Sequence, residues 1–111
     1  MMRIKLWQIN LDRDTNCVAF EAYSRLEQLQ GSPDADKSLY DVVYEGDVDA
    51  EDIEEIFHIF NVRHPEGYTA RSMSVSDVVE IVESDWVDPG CYYCDTIGFK
   101  KIKFKEKEAE E

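Results

Sequence analysis

Residues 2–11, MRIKLWQINL, alternate as a strand does and carry apolar side chains on both of its faces. Ile4, Leu6, Gln8 and Asn10 fall on one side, and Arg3, Lys5, Trp7, Ile9 and Leu11 on the other. A strand with one wet face would be apolar at one parity only, so substantial cover is expected on each side of this one. The chain can supply that cover. It has 111 residues, 43% of them hydrophobic and 12% aromatic, which suits one folded domain rather than a disordered segment.

Further along, the apolar period changes. From Val18 to Leu29 it is helical: Val18, Ala22, Leu26 and Leu29, with Ala19 and Tyr23 beside them, share one side of the wheel. Glu21, Arg25 and Gln28 lie opposite, and Gly31 and Pro33 supply a stop. After the loop GSPDADK comes SLYDVVYEG, a β-branched and aromatic run of strand length. A second helix is expected over about residues 50–61, with Asp49 as N-cap and Ile53, Ile56, Phe57 and Phe60 as its buried stripe. Pro65 and Gly67 break the pattern. A short strand then leads into a turn capped by Ser74 or Ser76. Periodicity leaves residues 77–82 open between helix and strand, with Val78, Val79, Ile81 and Val82 as buried positions. ESDWVDPG reads as a polar loop. CYYCD and GFKKIKF make a terminal hairpin joined through Thr96, Ile97 and Gly98. The expected fold is α+β: a single layer of mainly antiparallel sheet, about four strands, packed by two main helices. Residues 1–104 form one domain in this reading, and 105–111 a charged, frayed tail.

Charge limits what such a domain can bind. Acidic residues outnumber basic ones 25 to 12, a net charge of −13. Between Asp41 and Asp95 there are fifteen acidic residues against Arg63 and Arg71, so this segment carries the whole imbalance. Lys100, Lys101, Lys103, Lys105 and Lys107 form a basic strip near the C-terminus. Phosphate backbones and anionic membranes repel this chain, so neither direct nucleic-acid binding nor membrane association is expected. No apolar run approaches the length of a membrane span, and the N-terminus lacks the apolar core of a secretion signal. Three cysteines are an odd number that argues for a reducing compartment, and a cytoplasmic location is expected.

In YEGDVDAEDIEEI, seven carboxylates occur without a cation. Aligned as a calcium loop on Asp47, Asp49 and Glu51, it puts Asp52 where the turn needs glycine and His58 where the bidentate glutamate belongs, so no calcium site is expected. Cys91 and Cys94 form a lone CxxC, whose only further donors are Cys17, His58 and His64. Buried or half-buried strand residues are the better account, and no metal or other cofactor is expected. Nucleophilic catalysis lacks any elbow motif, and there is no glycine-rich phosphate loop.

HPEGYTARSMSVSDVVEI followed by YYCDTIGFKKI resembles the YodL-like domain family. The matching residues are His64, Pro65, Arg71, Ser72, Ser74, Ser76, Asp77, Val78, Val79, Tyr93, Asp95, Gly98 and Phe99, with Met73 where leucine is usual. An upstream VYEGDV, Val43 to Val48, fits as well, so the likeness extends over residues 40–102. It implies a bacterial protein, mainly of Firmicutes, often carried on mobile elements and sometimes fused into larger polyvalent proteins. It implies no enzymatic activity. From the residues themselves, Ser74, Ser76 and Asp77 read as a cap and turn, Gly98 as a tight turn and Phe99 as core.

The leading functional expectation is a non-enzymatic acidic binding protein. It would inhibit or modulate a partner with a basic surface, such as a nucleic-acid-binding defence effector of the CRISPR kind, by imitating a polyanion. Asp47, Asp49, Glu51, Asp52, Glu54, Glu55, Glu83, Asp85 and Asp88 would form its contact surface. The second expectation is an accessory or scaffolding domain using Trp7, Trp86 or Tyr68, its acidity serving solubility. A third, a small hydrolase or metal enzyme, would require Asp77, Asp95 and a histidine to converge in one pocket.

Overall fold

A computed structural model describes residues 2–14, 17–30, 35–62, 64–65 and 67–105. The expected tail beyond residue 105, the stop at Gly31 and Pro33, and Arg63 lie outside the described residues.

The first strand, β1 (Met2–Ile9), is an interior strand, second from the edge, of a five-stranded antiparallel sheet. Its neighbours are β3 (Tyr40–Val48) on one side and β4 (Val78–Ser84) on the other. Next come β5 (Gly90–Cys94) and β6 (Phe99–Ile102), giving the order β3-β1-β4-β5-β6. One face of β1 is covered along its length, and the other at Trp7 and Ile9. Met2, Ile4 and Leu6 enter a core with Val48, Val79, Ile81 and Cys94, closed by the helix α2 (Ile53–Val62) through Ile53, Ile56, Ile59 and Phe60. Ile9 and Trp7 face a second core holding Tyr40, Val78 and Tyr93, closed by Val18, Leu26, Ala35 and Leu39. A short parallel pair, β2 (Ala35–Asp36) with β7 (Phe104–Lys105), borders it.

Of residues 77–82, all but Asp77 resolve as strand, and the terminal hairpin forms as expected, its turn closed by Asp95 N–H donating to Gly98 O at 3.0 Å. The sheet has five strands rather than four, and among the described residues α2 is the one substantial helix. The helix expected from Val18 to Leu29 shrinks to a 3-10 turn at Tyr23–Arg25 and a five-residue helix, α1 (Leu26–Gln30). The reason is competition for backbone groups. The Asp14 carboxylate accepts from Val18 N and Ala19 N, both at 2.9 Å. Ser76 Oγ accepts from Phe20 N at 2.9 Å, and Asp95 Oδ1 from Tyr23 N at 3.1 Å. Tyr93 OH donates to Glu21 O at 2.6 Å. Cys17 and Phe20 have φ of 56° and 67°, outside any right-handed helix. The predicted apolar set still turns inward, with Val18 and Leu26 buried and Ala19, Tyr23 and Leu29 packed against them.

In α2 the cap is Asp52, not Asp49. Its Oδ1 accepts from Glu55 N at 2.8 Å, while Glu55 Oε1 reaches one residue past the cap and accepts from Glu51 N at 2.8 Å, and the helix starts three residues late. Ile59 replaces Phe57 in the buried stripe, and Phe57 is left exposed. Neither Ser74 nor Ser76 caps the turn before β4. Asp77 does, its Oδ2 accepting from Ser74 N at 3.0 Å, and no strand precedes it. No helix among the described residues is long and apolar enough to cross a membrane.

Candidate functional site

Strand polarity divides the sheet into two chemically different ends. β1 begins, β3 and β4 finish and β5 begins at one end, so the connections 49–52 and 85–89 both lie there. Across a strand length of about 20 Å, the other end holds the segment 70–77 and the turn 95–98.

All nine candidate contact carboxylates belong to the first end. Asp47 closes β3, and Asp49, Glu51 and Asp52 lie in the connection to α2. Glu54 and Glu55 occupy its first turn. There the helix dipole favours negative charge. Glu83 is on β4, with Asp85 and Asp88 in the loop that follows. A small depression lined by Arg3, Asp47, Glu83, Ser84 and Asp85 joins residues from three segments.

Register explains the convergence. Arg3 is paired with Asp47 on one side and Glu83 on the other; Lys5 is paired likewise with Glu45 and Glu80. Directly opposed residues share a face, so four carboxylates flank two central cations in two rungs. Arg3 Nε lies 3.4 Å from Asp47 Oδ1 in a half-exposed pair. Glu83 reaches this face because the β1–β4 register slips between Arg3 and Ile4. With Ile81 opposite Ile4, an unbroken alternation would have sent Glu83 to the core side. Arg3 and Lys5 were not singled out from the sequence, since their role depends on which strands flank β1.

The opposite end is built around Asp77, which is fully buried. Its Oδ2 accepts from Gln8 Nε2 and from Ser74 N, both at 3.0 Å, and Arg71 Nη2 lies 3.8 Å from Oδ1. Gln8 Nε2 also donates to Arg71 O at 3.0 Å, as does Tyr68 OH at 2.6 Å. Burial pushes the Asp77 carboxyl up to about 7, against the pull of the Ser74 and Gln8 N–H groups and the Arg71 charge. Tyr40 OH donates to Ser76 O at 2.7 Å, and Ser76 takes φ of 86°. Gln8, a polar residue at a core parity of β1, is the signal that marks this cluster in the sequence.

These residues hold backbone. Asp77 fastens the 71–77 segment to β1, and Asp95 Oδ1 accepts from Tyr23 N and Thr96 N. His64 meets Ser72 Oγ at 3.3 Å and packs edge-on against Tyr68, rather than meeting either carboxylate. Pro65 is half-buried beside Tyr44 and Ile59. Tyr93 belongs to the second core, Phe99 is half-buried against the first, and Gly98 (φ 73°) makes the hairpin turn. Cys91 and Cys94, three apart on β5, point to opposite faces and belong to different cores. Burial raises their thiols to about 11 and about 12, so both stay protonated at neutral pH. Among the described residues no cluster of three or more metal-ligating side chains forms.

Comparison with curated proteins and with solved structures finds no match. Comparison with protein families matches residues 3–104 to the YodL-like domain, further toward the N-terminus than the motifs alone reach. The matched span takes in β1, both cores, the Asp77 cluster and the acidic end, and the chain accordingly belongs to the YodL-like domain family.

Proposed function

We propose that this protein is a non-enzymatic binding module whose acidic end docks on the basic surface of a nucleic-acid-handling protein and competes there with nucleic acid. The observation that carries this reading is the gathering of Asp47 with Glu83 and Asp85, distant in sequence, around Arg3, at the same end of the sheet as the carboxylate-rich start of α2. Such a field draws a cationic surface at long range, and its strength falls with salt. Self-repulsion within it costs stability, so a purely solubilising surface would more simply spread the same charge. A mobile-element inhibitor of a host defence effector is the biological form this proposal takes.

The test is salt-dependent binding to a panel of basic nucleic-acid-binding effectors, with duplex DNA as competitor. Replacing Glu51, Glu54, Glu83 and Asp85 by the amides is expected to weaken binding at least about tenfold at low salt, on the order of 1.4 kcal/mol. Arg3→Gln, at a half-exposed position, is expected to leave stability within about 0.5 kcal/mol and to tighten the same binding. Binding unchanged in both variants would remove the proposal.

A second reading is favoured by one feature. Trp7 donates to Glu80 Oε1 at 3.1 Å with Lys37 over its ring, and Tyr68 is enclosed by Phe60, Tyr44 and His64, but Trp86 is 63% exposed in the 85–89 loop. An exposed tryptophan is a common binding anchor. If the contacts are chiefly apolar, Trp86→Ala abolishes a complex that survives high salt, while the amide variants do not.

A further inference from the structure

β3 is an edge strand with one open side. Among the described residues, Tyr44–Val48 make main-chain hydrogen bonds with β1 alone, which leaves the outward-pointing N–H and C=O groups of this stretch without a main-chain partner. The register slip between Leu6 and Trp7 leaves Val43 as an extra residue, so the regular part of the edge runs from Tyr44 to Val48. Its two faces differ. Glu45 and Asp47 project from one face and are exposed; Tyr44, Gly46 and Val48 face the other. On that second side, between the edge and α2, lies a pocket of about 210 Å³ lined by Tyr44, Asp47, Val48, Asp49, Ile59 and Pro65.

An open edge invites pairing, and its side chains select the partner. Two copies of β3 meeting edge to edge would set Glu45 and Asp47 of one against those of the other, which is destabilising. A strand bearing cations at the matching parity meets attraction instead. Its alternate side chains would turn toward Tyr44 and Val48, where the pocket can receive an apolar group. Main-chain pairing would supply affinity, and the two faces specificity, as in other strand-addition complexes.

We infer that the Tyr44–Val48 edge accepts an added strand from the partner, an extended segment that alternates Lys or Arg with apolar residues. The inference rests on the proposed docking of a basic protein and specifies how part of it is held. Glu45, outside the nine carboxylates read from the sequence, becomes a contact residue, as does Asp47 once its half-exposed pairing with Arg3 is shared with an incoming cation.

The test uses the full chain and an acetylated peptide alternating valine and lysine. Amide hydrogen exchange and amide chemical shifts are followed during titration at low and high salt. Salt-sensitive binding is expected, with slowed exchange at alternate amides within Tyr44–Val48. Glu45→Lys and Asp47→Lys are each expected to weaken it about tenfold, with circular dichroism confirming that both variants fold. Shifts confined to residues 49–55 and 83–88, with β3 exchange unchanged, would overturn strand addition while leaving the acidic end as a docking surface. Absence of salt-sensitive binding to this peptide and to polylysine alike would overturn both. Concentration-dependent self-association protecting β3 without peptide would assign the edge to a second copy and overturn the inference.

Discussion

Raising the pH from about 4 to about 8 is expected to destabilise the protein through Asp77 by on the order of 4 kcal/mol. The sign follows from the direction of the shift. Burial holds the folded carboxyl at about 7, above its ordinary 3.8. The folded state therefore binds this proton more tightly than the unfolded chain does. The resulting stability is fully present below 3.8 and is lost as the pH rises through about 7. Asp41 acts in the opposite sense: hydrogen bonds from Arg13 and Asn10 lower its pKa, and its contribution fades only as the pH falls below the ordinary carboxylate range. The two windows do not overlap. Denaturant unfolding of wild type and Asp77→Asn across this range isolates the residue, because general repulsion among surface carboxylates is common to both. The asparagine keeps an acceptor for Ser74 N and Gln8 Nε2 and has no proton to lose. Its stability should gain on wild type steadily between about pH 4 and pH 7. Parallel curves would show that Asp77 does not titrate in this range.

The other large effect is expected at Phe60. It is fully buried, and its ring meets Tyr44 and Tyr68 edge-on with centroids 5.2 and 5.0 Å away. Phe60→Ala removes the largest side chain that α2 inserts against β1 and leaves a cavity between helix and sheet. The expected cost is about 3–5 kcal/mol, against a total of about 5–15 kcal/mol for domains of this kind. Phe57→Ala is the matched control. Phe57 is 39% exposed, and its truncation should cost clearly less. Thermal or denaturant unfolding of both variants measures the difference, and equal losses would contradict the register of α2. The loss at Phe60 also reaches the acidic end, since α2 carries Glu54 and Glu55 and its cap fixes Glu51 and Asp52. Phe60→Ala should therefore weaken binding to a basic partner without altering any charge.

The parts that could be read directly from the chain are those where one periodicity prevails over a whole element. The alternation of Met2, Ile4 and Leu6 against Trp7 and Ile9 foretold a strand covered on both faces, and two cores meet it there. The stripe Ile53, Ile56 and Phe60 foretold α2. Reading failed at 18–29, where the helical spacing of Val18, Ala22, Leu26 and Leu29 is real but the chain coils only from Tyr23 onward. Up to that point, the N–H groups of Val18, Ala19, Phe20 and Tyr23 bond to the side chains of Asp14, Ser76 and Asp95 instead of to helical carbonyls. It failed again at the caps. Asp49 and Asp52 have the same chemistry, and only the seating of Ile53 on the sheet decides which of them closes the first turn.

By itself, the sequence determined which side chains avoid water and where negative charge is concentrated, because hydrophobicity and charge are properties of residues read in order. The strand order, the two register slips and the partners of Asp77 were decided by tertiary structure alone. They depend on which distant backbone groups outcompete local ones, and on how β3 and β4 align against β1. That alignment is what turns carboxylates from three separate segments into one acidic end.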